Sequence, residues 1–430
     1  MTVRPAGIDT KFAFRMALPI ATYPWGTAIP VGARDQVLHR PLGFKKSRPF
    51  EVDNSLGTGG FATTGDLGAI TASGDWQGYF RYLGFDALMA AFFGASTAPT
   101  YTNPVAADAT GAGSTTTLLK TGASWSATNG GEHAGKYWTC DADSGNPTNV
   151  GQTRRIVSNT ADTLTWVGVL PFATSSTTQG NISAGIAERT YTLADALEGI
   201  YGTACIWNGV SMEELTSVKV AGFTLKWGTG KPVEVVFDLI ANDKTLASAV
   251  NTAVTAWTAL ETGNRVMTSH LVSRMNLVAD ALDADDAVRF SSGELSAKRP
   301  LAGVYGVGST DNEIDEPSNN GQVEVTFKGT LPRFEAATHL TAWEAGTTAK
   351  MDLTFTGALI SGATYRTIFI ELPLMRYTLA EAPIKDGILD HQLEFSCMEP
   401  AAAPTGMTAT KPVQIKVVND FCGNPLQVGN

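Results

Sequence analysis

The stretch ELTSVKVAGFTLKWGTGKPVEVVFDLI, residues 214–240, decides the fold class of this chain. A Gly-Thr-Gly turn separates two arms, and the second arm alternates polar residues with the apolar residues Val233, Val235, Phe237 and Leu239. Successive side chains of a β-strand point to opposite faces, so this alternation is typical of a strand with one buried face. The stretch therefore predicts a long antiparallel hairpin whose other face carries Glu234 and Asp238.

The order of elements around this hairpin occurs twice in the chain. In the first half, a strand is followed by a helix over residues 79–93, a strand over 201–207 and then the hairpin. In the second half, a strand over 323–329 is followed by a helix over 334–345, further strands and a hairpin that carries Glu394. Because a shared order is harder to obtain by chance than one short match, it predicts an internal duplication.

The chain of 430 residues exceeds the roughly 250–300 residues at which one core stops growing, so several domains are expected. The patterns predict a mainly β protein of two tandem β-sandwich or barrel modules, each with a flanking helix. We expect residues 1–105 to hold an N-terminal arm and the first part of module 1. Residues 186–260 would complete module 1, and 261–430 would form module 2. Residues 106–185, rich in Thr, Ser and Gly, predict an inserted small β domain.

Composition excludes several classes of protein. The net charge of −10 argues against a general nucleic-acid binder, which needs clustered Lys and Arg to neutralise phosphates. No stretch is long and apolar enough to span a bilayer, and the first ten residues lack a signal-peptide pattern, so we expect production in a cytoplasm. Reduced, buried thiols are expected of the widely spaced cysteines Cys140, Cys205, Cys397 and Cys422.

Sequence signatures of catalysis and of metal binding are missing. The chain has no GxSxG elbow, no phosphate-binding GxxxxGK[ST] loop, no GxGxxG fingerprint and no HExxH pair. Asp141 and Asp143 precede Gly145 but do not complete a calcium-binding loop. The sequence therefore predicts neither an enzyme nor a protein with a cofactor or a metal site.

Residues 60–95 and 186–420, through the strand–helix pairs and the two hairpins, resemble the tail tube (major tail) proteins of long-tailed, non-contractile bacteriophages. This resemblance implies a β-sandwich or barrel with a flanking helix. It also implies that copies pair side by side into rings, and that the rings stack into a tube through which the genome passes into the host. A ring built from six modules would need three of these chains with pseudo-sixfold symmetry, or six chains if the second half is not a true module.

The resemblance also suggests roles for charged residues. An acidic lining repels DNA at short range, and Glu234, Asp238 and Glu394 are the candidates for that lining. Contacts between stacked rings are expected between a basic cluster and an acidic loop, namely Lys45, Lys46 and Arg48 with Asp311, Glu313, Asp315 and Glu316.

The expected partners follow from the same resemblance. They are other copies of the chain, a tape-measure protein, tail terminator and baseplate or tip proteins, and DNA that transits without specific binding. No membrane is expected as a partner. We expect the protein to lie in the virion tail after assembly in the host bacterial cytoplasm.

Other readings stay open at this point. A tail terminator or a capsid decoration protein would also be a phage assembly component, but a terminator should stop at one ring. A carbohydrate-binding or adhesive β protein would need export, for which the sequence shows no signal.

Overall fold

A computed structural model describes residues 10–17, 23–31, 35–40, 42–52, 65–97, 100–101, 104–128, 131–134, 136–150, 152–166, 169–182, 187–246, 248–252, 263–305, 313–334, 337–385 and 388–419. Strands account for 49 % and helices for 6 %, which confirms the prediction of a mainly β protein. Among the described residues the strands form several sheets and no closed barrel.

Strands and helices are numbered in chain order. Those that precede the inserted segment are β1 (Lys11–Met16), β2 (Gln36–Val37), β3 (Lys45–Ser47), β4 (Phe50–Val52), β5 (Gly65–Leu67), β6 (Thr71–Tyr79), α1 (Asp86–Phe93), β7 (Gly94–Ser96) and β8 (Thr100–Tyr101). The segment itself holds β9 (Val105–Ala106), β10 (Thr117–Leu119), β11 (Tyr137–Asp143), β12 (Thr153–Asn159), β13 (Thr163–Trp166) and β14 (Thr178–Ile182).

The remaining elements follow the inserted segment. The first group is β15 (Ala187–Leu193), β16 (Gly202–Trp207), β17 (Met212–Gly228), β18 (Glu234–Ala241), β19 (Asp243–Leu246), β20 (Leu271–Leu277), β21 (Ser292–Lys298), β22 (Leu301–Ala302) and β23 (Ser318–Asn319). The second group is β24 (Glu324–Leu331), α2 (Thr338–Glu344), β25 (Thr348–Ser361), β26 (Thr364–Glu381), β27 (Ile384–Lys385), β28 (Ile388–Leu389), β29 (His391–Cys397) and β30 (Gln414–Asn419).

The predicted hairpin is present and forms the middle of a large antiparallel sheet. Strands β17 and β18 pair through residues such as Phe223 and Phe237, which are directly opposite each other. Val235 and Phe237 are fully buried, whereas Glu234 and Asp238, on the opposite face of the strand, are only half-buried. The alternation seen in the sequence therefore corresponds to one core face and one polar face.

We use the name central sheet for the hydrogen-bonded run β6–β18–β17–β21–β24–β29–β26. Its core face packs against other strands of the same fold, because Trp76 of β6 contacts Phe12 of β1 and Trp227 of β17 contacts Phe355 of β25. One continuous hydrophobic core thus lies behind both halves of the central sheet.

The two halves of the fold have the same order of strand pairing. In the first half the order is β1–β16–β17–β18–β6, and in the second it is β20–β25–β26–β29–β24. A row of three aromatic side chains crosses each half at the same place. The rows are Trp76, Phe237 and Phe223 in the first half and Phe327, Phe395 and Tyr377 in the second. Division of the chain into modules at residue 260 stays a prediction.

Strand β21 joins the two halves. It pairs with β17 of the first half on one side and with β24 of the second on the other. Arg299, which follows β21, is buried and donates hydrogen bonds to the carbonyl oxygens of Phe92 and Phe93 at the end of α1, at 2.9 and 3.1 Å. These contacts satisfy carbonyl groups that the helix itself cannot pair, and they attach the second half to the first.

Both helices are shorter than the sequence suggests. The predicted helix over residues 79–93 begins only at Asp86, because β6 continues to pair with β18 as far as Tyr79 and Gly84 adopts a left-handed backbone with φ of 93°. Helix α2 spans Thr338–Glu344 instead of 334–345. The predicted strands over 364–372 and 374–379 form one long strand, β26.

The N-terminal arm expected within residues 1–105 contains a strand of the main fold. Strand β1 pairs with β16 and β2. Phe12 and Phe14 of β1 are buried in the main core. Alternating Phe12, Phe14 and Met16 carry the period-two signal of a buried strand, which the nearby prolines and glycines obscured.

The inserted segment has a sheet and a core of its own. Its six strands pair in the order β10–β13–β12–β11–β14–β9. Its separate hydrophobic cluster includes Trp138 and Trp166, which stack with ring centroids 4.9 Å apart. Strands β9 and β14, at the two ends of the segment, pair with each other, so the chain enters and leaves the segment at adjacent points.

Because the ends meet and the cores are separate, residues 105–182 can be removed with little effect on the rest. We expect a variant in which a short Gly-Ser linker replaces residues 105–182 to remain folded, with a melting temperature within a few degrees of the intact chain. Circular dichroism and scanning calorimetry would measure this. As a control, deletion of β20 and β21 should abolish folding. Loss of the cooperative transition in the linker variant would contradict the separation of the two cores.

Candidate functional site: the polar face of the central sheet

The face of the central sheet that points away from the core is mostly polar, and we call it the polar face. Strand register places its side chains in rows that run across the strands. Because β21 links the halves, these rows continue from the first half of the chain into the second. The polar face is therefore one surface built by both halves.

One row of the polar face alternates in charge across five strands, and we call it the charge row. In register it contains Glu234, Lys226, Glu294, Lys328 and Glu394. Lys226 and Glu294 form an ion pair with 3.2 Å between Nζ and Oε2, and Lys328 and Glu394 form one with 2.8 Å between Nζ and Oε1. Since opposite charges directly across a sheet attract each other, the row stabilises the pairing of its strands.

The neighbouring row consists largely of hydroxyl side chains. Thr224, Ser296, Thr326 and Ser396 follow one another across β17, β21, β24 and β29. The hydroxyl groups of Thr224 and Ser296 are 3.2 Å apart and share a hydrogen bond. Small neutral hydroxyls beside paired charges give a surface without a strong cationic patch, so it offers phosphate groups little to bind.

A pair of carboxylates lies on the first half of the polar face. Asp238 is directly opposite Asp75 of β6. Burial raises the pKa of Asp238 above its usual value, the charge of Asp75 raises it further, and Lys298 acts in the opposite direction. Gly222 is the neighbour of Asp238 on β17, and a Cβ atom there would collide with the Asp238 carboxylate. Glycine at this position therefore leaves room for the acidic group.

The three residues predicted to line a channel all lie on the polar face, in both halves of the sheet. Glu234 pairs with Arg40, at 2.6 Å between Oε1 and Nη1, and Glu394 pairs with Lys328. The sequence-based reasoning missed Lys226 and Lys328 because it considered only acidic residues, and it missed Glu294 because it considered only the two hairpins and not β21. Polar and apolar residues alternate along the strands that carry these three residues, and this pattern could have identified them. Their role in a channel stays a prediction.

Two residues of the basic cluster predicted for contacts between rings have partners within the chain. Lys46 pairs with Asp243 at 2.6 Å, and Arg48 donates to the carbonyl oxygen of Gly68.

The acidic loop is likewise attached to its own chain. Glu316 pairs with the buried Lys219 at 2.8 Å and accepts a hydrogen bond from the Gly199 amide. Asp315 and Lys45 are exposed, Glu313 is half-buried, and Asp311 lies outside the described residues. Among the described residues, Lys46, Arg48 and Glu316 are paired with groups outside these two clusters, and contact of the clusters between rings stays a prediction.

Other kinds of site are not evident in the described part of the chain. No cluster of three His, Cys, Asp or Glu side chains there could hold a metal ion. Cys140, Cys205 and Cys397 are buried free thiols, and burial raises the pKa of Cys140 and Cys397 to about 12. Such thiols are protonated at neutral pH, as expected of cysteines that only fill the core. None of the helices described is long and apolar enough to cross a membrane.

Comparison with known families agrees with the geometry. The sequence model of the family described as Phage tail tube protein matches residues 15–410, which is nearly the whole chain. The chain belongs to this family. No curated protein matches it.

Membership of the tail tube family gives the protein its general role. It is a structural component of the phage tail, and the resemblance noted in the sequence is confirmed. Proteins of this kind assemble with copies of themselves into the tail tube and contact other tail proteins. The matched region spans both halves of the central sheet and the inserted segment within the first half.

The Asp75–Asp238 pair gives a prediction for stability. Replacing Asp238 with Asn keeps the shape of the side chain and removes the repulsion, so we expect the free energy of unfolding to rise by about 0.5 kcal/mol at pH 7. Urea unfolding measures the change. The difference in unfolding free energy between variant and wild type should become smaller below pH 3.8, the ordinary pKa of Asp. Below that pH the wild-type carboxyl is protonated in both folded and unfolded chains.

A matched variant on the same face is Glu394→Gln, which removes the ion pair with Lys328. We expect it to be neutral or slightly destabilising, because exposed ion pairs contribute little. If Asp238→Asn were destabilising at pH 7, the two facing carboxylates would not repel each other as described.

Proposed function

We propose that copies of this chain polymerise into stacked rings that form the phage tail tube, and that the polar face lines the channel for genome passage. The observation that carries this proposal is the continuity of the polar face across both halves of the chain. A lining made from one sheet presents the same chemistry around the circumference. Its charges are paired in rows, so DNA meets neither a strongly attractive nor an irregular surface.

The excess charge of the polar face is negative where it is not neutralised. The three glutamates of the charge row are matched by Lys226, Lys328 and Arg40. The row of Asp75 and Asp238 continues through Gly222, Lys298 and Glu324, and therefore holds three carboxylates and one lysine. Carboxylates repel phosphate within a Debye length of about 8–10 Å, which prevents adhesion of the duplex to the wall. This supports Glu234, Asp238 and Glu394 as residues that face the channel.

We further propose that each ring contains three chains. The equal pairing order of the two halves supports two tandem tube modules in one chain, with the inserted segment in the first. Three such chains place six modules in a ring with pseudo-sixfold symmetry. Six chains per ring would apply if the second half does not act as a module.

The partners and the place of assembly follow from a tail tube. We propose that the tube forms around a tape-measure protein in the host bacterial cytoplasm. One end would contact baseplate or tip proteins, and the other a tail terminator. DNA would pass without specific binding, no membrane would be contacted, and the protein would have no catalytic activity and no cofactor.

Electron microscopy of the purified protein and of the virion tests the proposal. We expect tubes of stacked rings with a central channel wide enough for duplex DNA, and a ring mass three times that of the 45.3 kDa chain by native mass spectrometry. A ring of six chains would contradict the proposed ring of three chains but not the proposed tube. A polar face on the outside of the tube would contradict the channel role.

The predicted contacts between rings have a separate test by charge reversal. Replacing Lys45 with Glu should leave single rings and prevent long tubes, because like charges then meet the acidic loop. Lys46 is kept, since its reversal would place a glutamate beside Asp243 of the same chain. Combining this variant with Glu313→Lys and Asp315→Lys should restore tubes. The same reversal at Lys120 and Lys136 of the inserted segment is the control. Normal tube length in the first variant would remove the basic cluster from the ring-to-ring contact.

A further inference from the structure

The junction between the halves shows how one module accepts a strand from the next. Strand β21 pairs with the outer edge of β17, with Phe223 opposite Ala297 and Thr224 opposite Ser296. On its other side β21 pairs with β24, where Lys298 is opposite Glu324. A strand that belongs to the second half thus extends the sheet of the first.

The first half has its own counterpart of β21 at the far edge of the sheet. We call residues 42–47, which include β3, the edge segment. Lys45 is opposite Ser73 of β6, as Lys298 is opposite Glu324 of β24. Ser73 precedes Trp76 by three residues, and Glu324 precedes Phe327 by three in the corresponding aromatic row. Lys45 in the edge segment therefore occupies the position that Lys298 occupies in β21, and Gly43 occupies the position of Ser296.

The edge segment and residues 377–381 of β26 each pair with a described strand on one side only. Among the described residues, β3 pairs with no strand other than β6. At the opposite end of the central sheet, no described strand pairs with residues 377–381 of β26 on the side away from β29. Six strands lie between the two edges, which are therefore seven strand spacings or about 34 Å apart along the sheet, so one chain does not join them to each other.

The helix beside the free edge of β26 also differs from its counterpart. Helix α1 contributes six buried residues to the core, and Arg299 caps it from the strand that joins β17. Helix α2 packs against β26, where His339 Nδ1 lies 3.0 Å from the Tyr377 hydroxyl, but it has no buried residue. Its Trp343 is 40 % exposed. A large exposed aromatic next to a free strand edge marks a surface that a further element covers.

From these observations we propose that the edge segment of one copy pairs with residues 377–381 of β26 in the next copy, beside α2. The contact repeats between chains the pairing that β21 and β17 make within the chain. It rests on the proposed function, since it is the lateral contact of a ring. The partner is a second copy of this chain, because both complementary edges belong to the same sheet and cannot meet within one molecule.

The internal junction also fixes the register of the proposed contact. Tyr377 corresponds to Phe223, since both are opposite the matching residues Phe395 and Phe237. A bulge after Tyr377 adds one residue, so Leu379 takes the place of Thr224. Thr224 is opposite Ser296, which matches Gly43, and we therefore place Leu379 of one copy opposite Gly43 of the next.

Cysteine cross-linking tests this register. The variant combines Gly43→Cys and Leu379→Cys in a Cys422→Ser background, and a Cβ atom at Gly43 meets nothing within 4 Å. A short bifunctional thiol reagent is added to assembled protein. We expect covalently linked chains that end at the closed ring on a denaturing gel, with a yield at least half that of Thr224→Cys with Ser296→Cys, whose link stays within one chain.

A matched control moves one cysteine along the same strand. Gly43→Cys with Glu381→Cys shifts the pair by two residues and should give at least fivefold less linkage between chains. If tubes form normally but the yield of linkage between chains is equal in both variants, or is absent in both, the proposed register is wrong. The proposed tube function would not be affected by that result. Failure of the unmodified chain to form rings would instead contradict the proposed function. The link should also be lost when the protein is diluted to single chains.

Discussion

The backbone hydrogen bonds between β17 and β21 are the interaction on which the rest of the structure depends. They pair the backbone groups at the edge of the first half with a strand of the second half, so that the two halves form one continuous sheet. Because every row of the polar face crosses this junction, the register of seven residue pairs sets which charges meet. A slip by one residue would turn the charge row toward the core, at a cost that no surface ion pair could offset.

Given that register, the electrostatics of the polar face follow from strand geometry. Side chains of the same row are directly opposite each other, so a lysine on every second strand neutralises the carboxylates beside it. Asp238 has no such lysine directly across from it on either neighbouring strand, since its neighbours there are Asp75 and Gly222. The negative character of the face is thus concentrated on the first half, while its overall charge is moderate.

Strand alternation could be predicted from the sequence because burial of one face leaves a period of two, as in Val235, Phe237 and Leu239. The placement of Glu234 and Asp238 on one polar face followed from the same pattern. Helix bounds could not be predicted as well, because pairing of β6 with β18 overrides local helical spacing up to Tyr79. The lysine partners depend on which strands become neighbours, and β21 is distant in sequence from β17.

The difference between the two helices follows from the same junction. Helix α1 packs against β17, β15 and β1, and Arg299 after β21 caps its end, whereas α2 lies in the second half and has no such strand beside it among the described residues. In a linear series of modules the terminal one always keeps an uncovered edge, and the first keeps an unpaired complementary strand. Such a chain can satisfy both edges only by meeting other copies in a closed ring, because an open series would leave one edge exposed at each end.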